Sequence, residues 1–172
     1  GGNDTVLVAA TTSDLIIATD ATLRHSAPLT LTVTGDYTNN GTYSASATAV
    51  MVLNGIAEQT IGGTLNATSS FANLTIANTS GSGDADQSVV FSAAPNVGGT
   101  LTFEASTSAQ FLANATTTVE NFTIATSSII STTYLRSSSD GTHWALDVND
   151  ASNILGYVDV QDSDACDSTS GI

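Results

Sequence analysis

NLTIANTSG, at positions 73–81, returns as NFTIATSS at positions 121–128. In both, an apolar pair brackets a threonine (Leu74 and Ile76; Phe122 and Ile124), and Ala with a Ser/Thr/Asn/Gly cluster follows. Successive strand side chains point to opposite faces, so this triplet reads as a half-buried strand. The small polar cluster behind it reads as a corner. A strand that turns a corner, and later does so again, predicts a chain that coils.

The same period of two runs through the rest. LTLTVTG sets Leu29, Leu31 and Val33 on one face against Thr30, Thr32 and Thr34. GTLTFE places Leu101 and Phe103 inward, HWALDV places Trp144, Leu146 and Val148, and YVDVQD places Val158 and Val160. Further strands are expected at Val6–Ala9, Leu15–Ala18, Ala49–Leu53, Val89–Phe91, Gln110–Ala113 and Ile129–Leu135. Threonine suits the outer face, because it is β-branched and its hydroxyl meets water. No segment carries a sustained i, i+3, i+4 apolar pattern with caps, so little helix is expected. TGDYTNNGTY, IGGT, TSGSGDADQ, APNVGGT and SSSDGTH read as punctuation, and Pro28 and Pro95 as residues before or between strands.

Other returns are looser. GGTL at Gly62 recurs at Gly98, and LTV at Leu31 answers LTF at Leu101. The offsets lie near multiples of about 12 or 24, within the range that marks solenoids. A coil of about 24 residues holds two or three short strands and their corners. A β-sandwich or jelly roll, with a strand exchanged between subunits, uses the same alternation, so the period by itself leaves both architectures open.

The 172 residues suffice for one domain with a real core, and 41% are hydrophobic. Only 10% are charged, there is no lysine, and the net charge is −14. Ser and Thr make up roughly 30%. A chain with Arg24 and Arg136 as its only strong cations is a poor partner for nucleic acid or an anionic membrane. The absence of lysine also excludes a Lys–Asn isopeptide cross-link. No apolar run reaches the roughly 20 residues that cross a bilayer. Cys166 stands alone, which excludes an intrachain disulfide. GGNDT has neither a basic nor an apolar leader region, and the lysine-free, hydroxyl-rich composition favours an extracellular chain whose signal has been removed. N-x-[ST] sequons at Asn3, Asn40, Asn66, Asn73, Asn78, Asn114 and Asn121 are candidate glycosylation sites.

TGDYTNNGTYSA, IGGTLNATSSFANLTIANTSG, GGTLTF, VENFTIATSSIISTTYLRSSSDGTHWALDV and YVDVQDSDA resemble the strand-and-corner phrases of large secreted bacterial surface proteins. Those proteins stack such phrases into parallel β-helices of the pectin-lyase-like or haemagglutinin-like kind. The likeness covers most of Leu29–Ala165. It implies an all-β, right-handed parallel β-helix-like solenoid with an adhesin-like or structural role, and it implies no catalytic residues. Residues 1–28, with the apolar stretches TVLVAA and DLIIAT, are expected to form an extended segment, either a first strand of the same domain or an inter-subunit strand or cap, and residues 29–172 the all-β domain.

Catalytic chemistry finds little to work with. His25 and His143 lie in LRHSAP and GTHWAL, away from any nucleophile motif. Calcium is the sharper expectation: DVQDSDACD offers Asp162, Asp164 and Asp167 as hard oxygen ligands, and GSGDADQ offers Asp84 and Asp86. Neither matches an EF-hand loop. The first functional expectation is a structural subunit of an extracellular filament or surface layer that joins copies of itself through strand edges or stacked coils. The second is an adhesin segment that holds a glycan on a sheet face, with Tyr37, Tyr43, Tyr134, Trp144 and Tyr157 as stacking candidates.

Overall fold

The computed structural model describes residues 3–6, 8–81, 87–125, 132–154 and 157–164. The chain enters through β1 (Asn3–Val6) and winds a first coil of β2 (Ala10–Thr12), β3 (Leu15–Ile17) and β4 (Thr22–His25). The second coil repeats this plan with β5 (Thr30–Val33), β6 (Tyr37–Asn39) and β7 (Thr42–Ala45). The third has β8 (Val50–Leu53) and β9 (Gln59–Gly63), then a single 3-10 turn at Ala67–Ser69 where a third strand would stand. After β10 (Asn73–Ile76) and β11 (Val89–Phe91) the pattern changes: β12 (Asn96–Glu104) is long, β13 (Ser108–Phe111) short, β14 (Thr116–Ala125) long, β15 (Thr132–Ser137) shorter, β16 (Trp144–Ile154) long. β17 (Tyr157–Val160) and β18 (Ser163–Asp164) follow.

Every strand pair is parallel, and each strand lies on its counterpart in the next coil. Three sheets result: β2-β5-β8-β10-β12-β14-β16-β18, β3-β6-β9-β11-β13-β15-β17, and β1-β4-β7. The chain is a parallel β-solenoid of about six turns. A β-sandwich is excluded, because its hairpins and Greek keys require antiparallel neighbours.

The long strands serve two faces each. The isolated bridge from Phe71 to Val97 continues the third face beyond the 3-10 turn. Register then breaks between Val97 and Thr100 against β14, and between Val119 and Asn121 against β16. At these bulges the strand leaves the third face and enters the first face of the next coil, as extra residues bend a strand.

The apolar half of the period-two code becomes vertical columns. Leu31, Met51, Leu74, Leu101 and Phe122 are stacked partners, as are Val33, Leu53, Ile76, Phe103 and Ile124. All of these are buried. On the outer face Thr32, Val52, Thr75, Thr102 and Thr123 form the matching ladder. The opening phrases therefore occupy one column: Leu74 lies on Leu101, which lies on Phe122, so the interval between them is two coils. LTV and LTF share that column, three coils apart. GGTL does not repeat structurally, since Gly62 lies in β9 and Gly98 at the bend of β12.

Aromatic rings fill the wider layers. Phe91, Phe111 and Trp144 stack in succession, at centroid distances of 5.3 and 4.2 Å and interplanar angles of 16° and 13°. Tyr37, Tyr43 and Phe71 form a cluster at 5.7–6.2 Å, the two tyrosines edge-on and Phe71 tilted against both.

Residues 10–25 pair strand for strand with the second coil and belong to the same stack. Four stretches expected as punctuation contain strand: β6 lies inside TGDYTNNGTY, the end of β9 inside IGGT, the start of β12 inside APNVGGT, and the last residue of β15 is the first of SSSDGTH. Solenoid strands this short need only one or two inward side chains, so little apolar signal marks them. The strand expected at Val6–Ala9 lies earlier, at Asn3–Val6, and Val160, expected inward, is 42% exposed. Residues 129–131 of the strand expected at Ile129–Leu135 lie outside the described residues.

Candidate functional site: a polar groove on the second sheet

The inner side of the corner between the first and second faces is braced by buried side-chain hydrogen bonds. Gln59 donates from Nε2 to Val33 O at 3.0 Å and accepts at Oε1 from Gly55 N at 2.8 Å. Asn78 donates from Nδ2 to Gln59 Oε1 (3.0 Å), Ala57 O (2.7 Å) and Ser88 O (3.1 Å), and accepts at Oδ1 from Ser80 N. Ser88 and Ser108 hydroxyls meet at 3.1 Å one coil further on. Side chains here stand in for the ladder where the backbone turns.

That network decides the fate of one sequon. Asn78 is 0% exposed and its amide is a structural brace. Asn73 is half-buried, donating to Ala47 O and Ala49 O and accepting from Thr100 N. Asn40, Asn66 and Asn114 are exposed at corners, and Asn121 is half-buried on β14. Asn3 lies on β1.

The stacking candidates divide too. Tyr37, Tyr43 and Trp144 are core residues, at 0%, 1% and 2% exposure, and offer no face to a glycan. Tyr157 is exposed and Tyr134 half-buried. Burial holds the Tyr37 and Tyr43 hydroxyls well above the ordinary tyrosine range. His25 is buried, with Nδ1 2.7 Å from Tyr43 OH and Nε2 3.1 Å from Leu29 O. A carbonyl only accepts, so Nε2 carries the proton and Nδ1 accepts from the tyrosine. Burial, partly opposed by the Leu29 hydrogen bond, lowers the imidazole pKa. His143 is exposed just before β16.

Of the calcium candidates, Asp162 sits at a corner with φ 54° and accepts from Gly141 N at 2.9 Å, while Asp164 pairs in register with Ala145. Asp84, Asp86, Asp167 and Cys166 lie outside the described residues. Among the described residues no three His, Cys, Asp or Glu side chains converge as a metal site would require.

Two concavities of about 340 Å³ open on the lateral surface. One lies at the break in the third face, among Ala45, Ala47, Ala67, Ala72 and neighbours, with Phe71 the one large side chain in its lining. The other lies on the second sheet. Its floor is a column across three coils: Gln110 is in register with Arg136, and Gln161 follows Val160, the partner of Leu135. Its walls are Ser137 at the end of β15, Ser138 and Asp140 of the β15–β16 connection, and Asp162 of the next corner.

Arg136 is 5% exposed because that connection folds over it. Its Nη1 contacts Asp159 Oδ1 at 3.2 Å and donates to Asp159 O (2.8 Å) and Leu135 O (3.1 Å). The guanidinium lies 5.1 Å from the Tyr134 ring centre. Gln161 Nε2 donates to Asp140 Oδ1 at 3.0 Å, tying the floor to the wall. Sequence reading missed this groove. Arg136, one of two cations, and the SSSDGTH loop were its only visible signals, and their meeting with Gln110 depends on a register set a full coil away along the chain. Compared with protein-family models, with curated proteins and with solved structures, the chain has no match.

Proposed function

We propose that this chain is a structural rod segment of an extracellular filament or surface layer. The observation that carries the reading is the parallel pairing of two faces, strand upon strand, through the described coils. Such a stack lengthens by adding rungs, whether from its own chain or from another copy, and each rung extends the columns already present. The lateral surface suits exposure to water. It carries hydroxyl ladders, the chain's net charge of −14 keeps rods apart, and Asn40, Asn66 and Asn114 offer glycans without disturbing the core.

Negative-stain microscopy with sedimentation velocity on the purified chain tests the assembly. Rods that lengthen with concentration support it, and a monomer at every concentration contradicts it. Localisation is tested separately by fractionating the source cells.

A further inference from the structure

We propose that the groove over β13, β15 and β17 binds a neutral oligosaccharide. Its volume of about 340 Å³ falls within the range of small-molecule sites. Its floor repeats at the coil spacing, about 4.8 Å, with the Gln110 and Gln161 amides on either side of the buried Arg136.

The unsatisfied valences select the ligand. Among the described residues, Gln110 has no side-chain hydrogen-bond partner. Asp140 uses Oδ1 for Gln161, and Asp162 uses Oδ2 for Gly141, so among the described residues each keeps one oxygen without a donor. The groove thus holds surplus acceptors and one amide able to give and take, the complement of a ligand rich in hydroxyls. Anions are disfavoured, because Arg136 is already matched by Asp159 and two further carboxylates line the wall. A divalent cation lacks its ligand set, since no third carboxylate or histidine joins Asp140 and Asp162 among the described residues. Hydroxyl pairs on a sugar bridge carboxylate and amide with no charge to offset. This binding does not depend on the rod assembling.

The test is a titration of the 15N-labelled full chain, followed by amide NMR. The probes are maltotriose, cellotriose, mannotriose and triacetylchitotriose, with trigalacturonate and calcium chloride as separate arms. The expected result is a saturable shift, for at least one neutral trisaccharide, of the Gln110 and Gln161 side-chain amides and of the Gly141 amide. Gln110→Ala and Asp140→Asn should each weaken binding by about tenfold or more while the remaining spectrum is unchanged. Asp140→Asn preserves shape, so its loss of binding is separable from misfolding. No saturable shift from any neutral probe below about 10 mM would overturn the proposal. So would shifts at these amides from calcium alone, trigalacturonate binding as well as the neutral probes, or variants that bind unchanged.

Discussion

Asn78 is spelled as a glycan acceptor and placed as a brace. With Ala there, Gln59 Oε1, Ala57 O and Ser88 O lose a donor inside the corner. Gln59 Oε1 keeps Gly55 N and Ser88 O keeps Gln59 N, so the loss is of hydrogen bonds worth about 1 kcal/mol each, and Asn78→Ala should lower the urea midpoint. Glycopeptide mass spectrometry of the natively produced chain should find Asn40, Asn66 or Asn114 occupied and Asn78 bare; occupied Asn78 would contradict the corner network. His25 supplies a pH dependence whose sign is fixed. Its folded pKa lies below the ordinary 6.5, so below that pH the unfolded chain binds the extra proton. Stability from neutral His25 is complete above about pH 6.5 and declines as the pH falls toward the folded pKa. Thermal melts between pH 7.5 and 5 should show falling Tm, and His25→Gln should flatten that part of the profile. None of these roles was legible in the residues alone. A sequon or a histidine looks the same in a corner or on a surface until register is known.

The bend between faces is where two glycines part company. A Cβ on Gly99 would meet Ala72 O at 2.5 Å and Asn73 Oδ1 at 2.6 Å, whereas on Gly98 the nearest atom is Phe71 O at 3.9 Å. Gly99→Ala should therefore destabilise by more than about 1 kcal/mol, and Gly98→Ala should stay within about 0.5 kcal/mol of the parent in chemical denaturation. Equal effects would mean the bend is placed wrongly. Phe111 is buried and stacked between Phe91 and Trp144, so Phe111→Ala should cost about 3–5 kcal/mol. Strands with two or three inward apolar residues, such as those at Leu31, Leu101 and Trp144, were readable from alternation. Strands like β6, with Tyr37 and Asn39 inward, were not, because a buried asparagine that donates to Thr64 O spells a turn in sequence. The long two-faced strands were invisible for a related reason: a bulge interrupts the period of two at the bend.

At the scale of the molecule, coil length was the legible quantity. Column partners succeed one another from Leu31 through Met51, Leu74 and Leu101 to Phe122, at intervals that scatter around the expected coil. Alternation is common to sandwiches and solenoids, so the expectation of a solenoid rested on the spaced returns and the resemblance, and the parallel pairing of the coils bears it out over the sandwich. The corner brace, the bend and the groove all require successive phrases to be successive rungs of one axis. Pulsed electron–electron resonance between spin labels tests this most directly, on outward positions in a Cys166→Ser background. Thr11, Thr32, Thr102 and Thr123 lie in one ladder, through Val52 and Thr75. At about 4.8 Å per rung, the pairs Thr11–Thr102 and Thr32–Thr123 should both centre at about 19 Å, and Thr11–Thr123 at about 24 Å. Distances that fail to rise by rung, or two four-rung pairs that differ, would contradict the stacked-coil account.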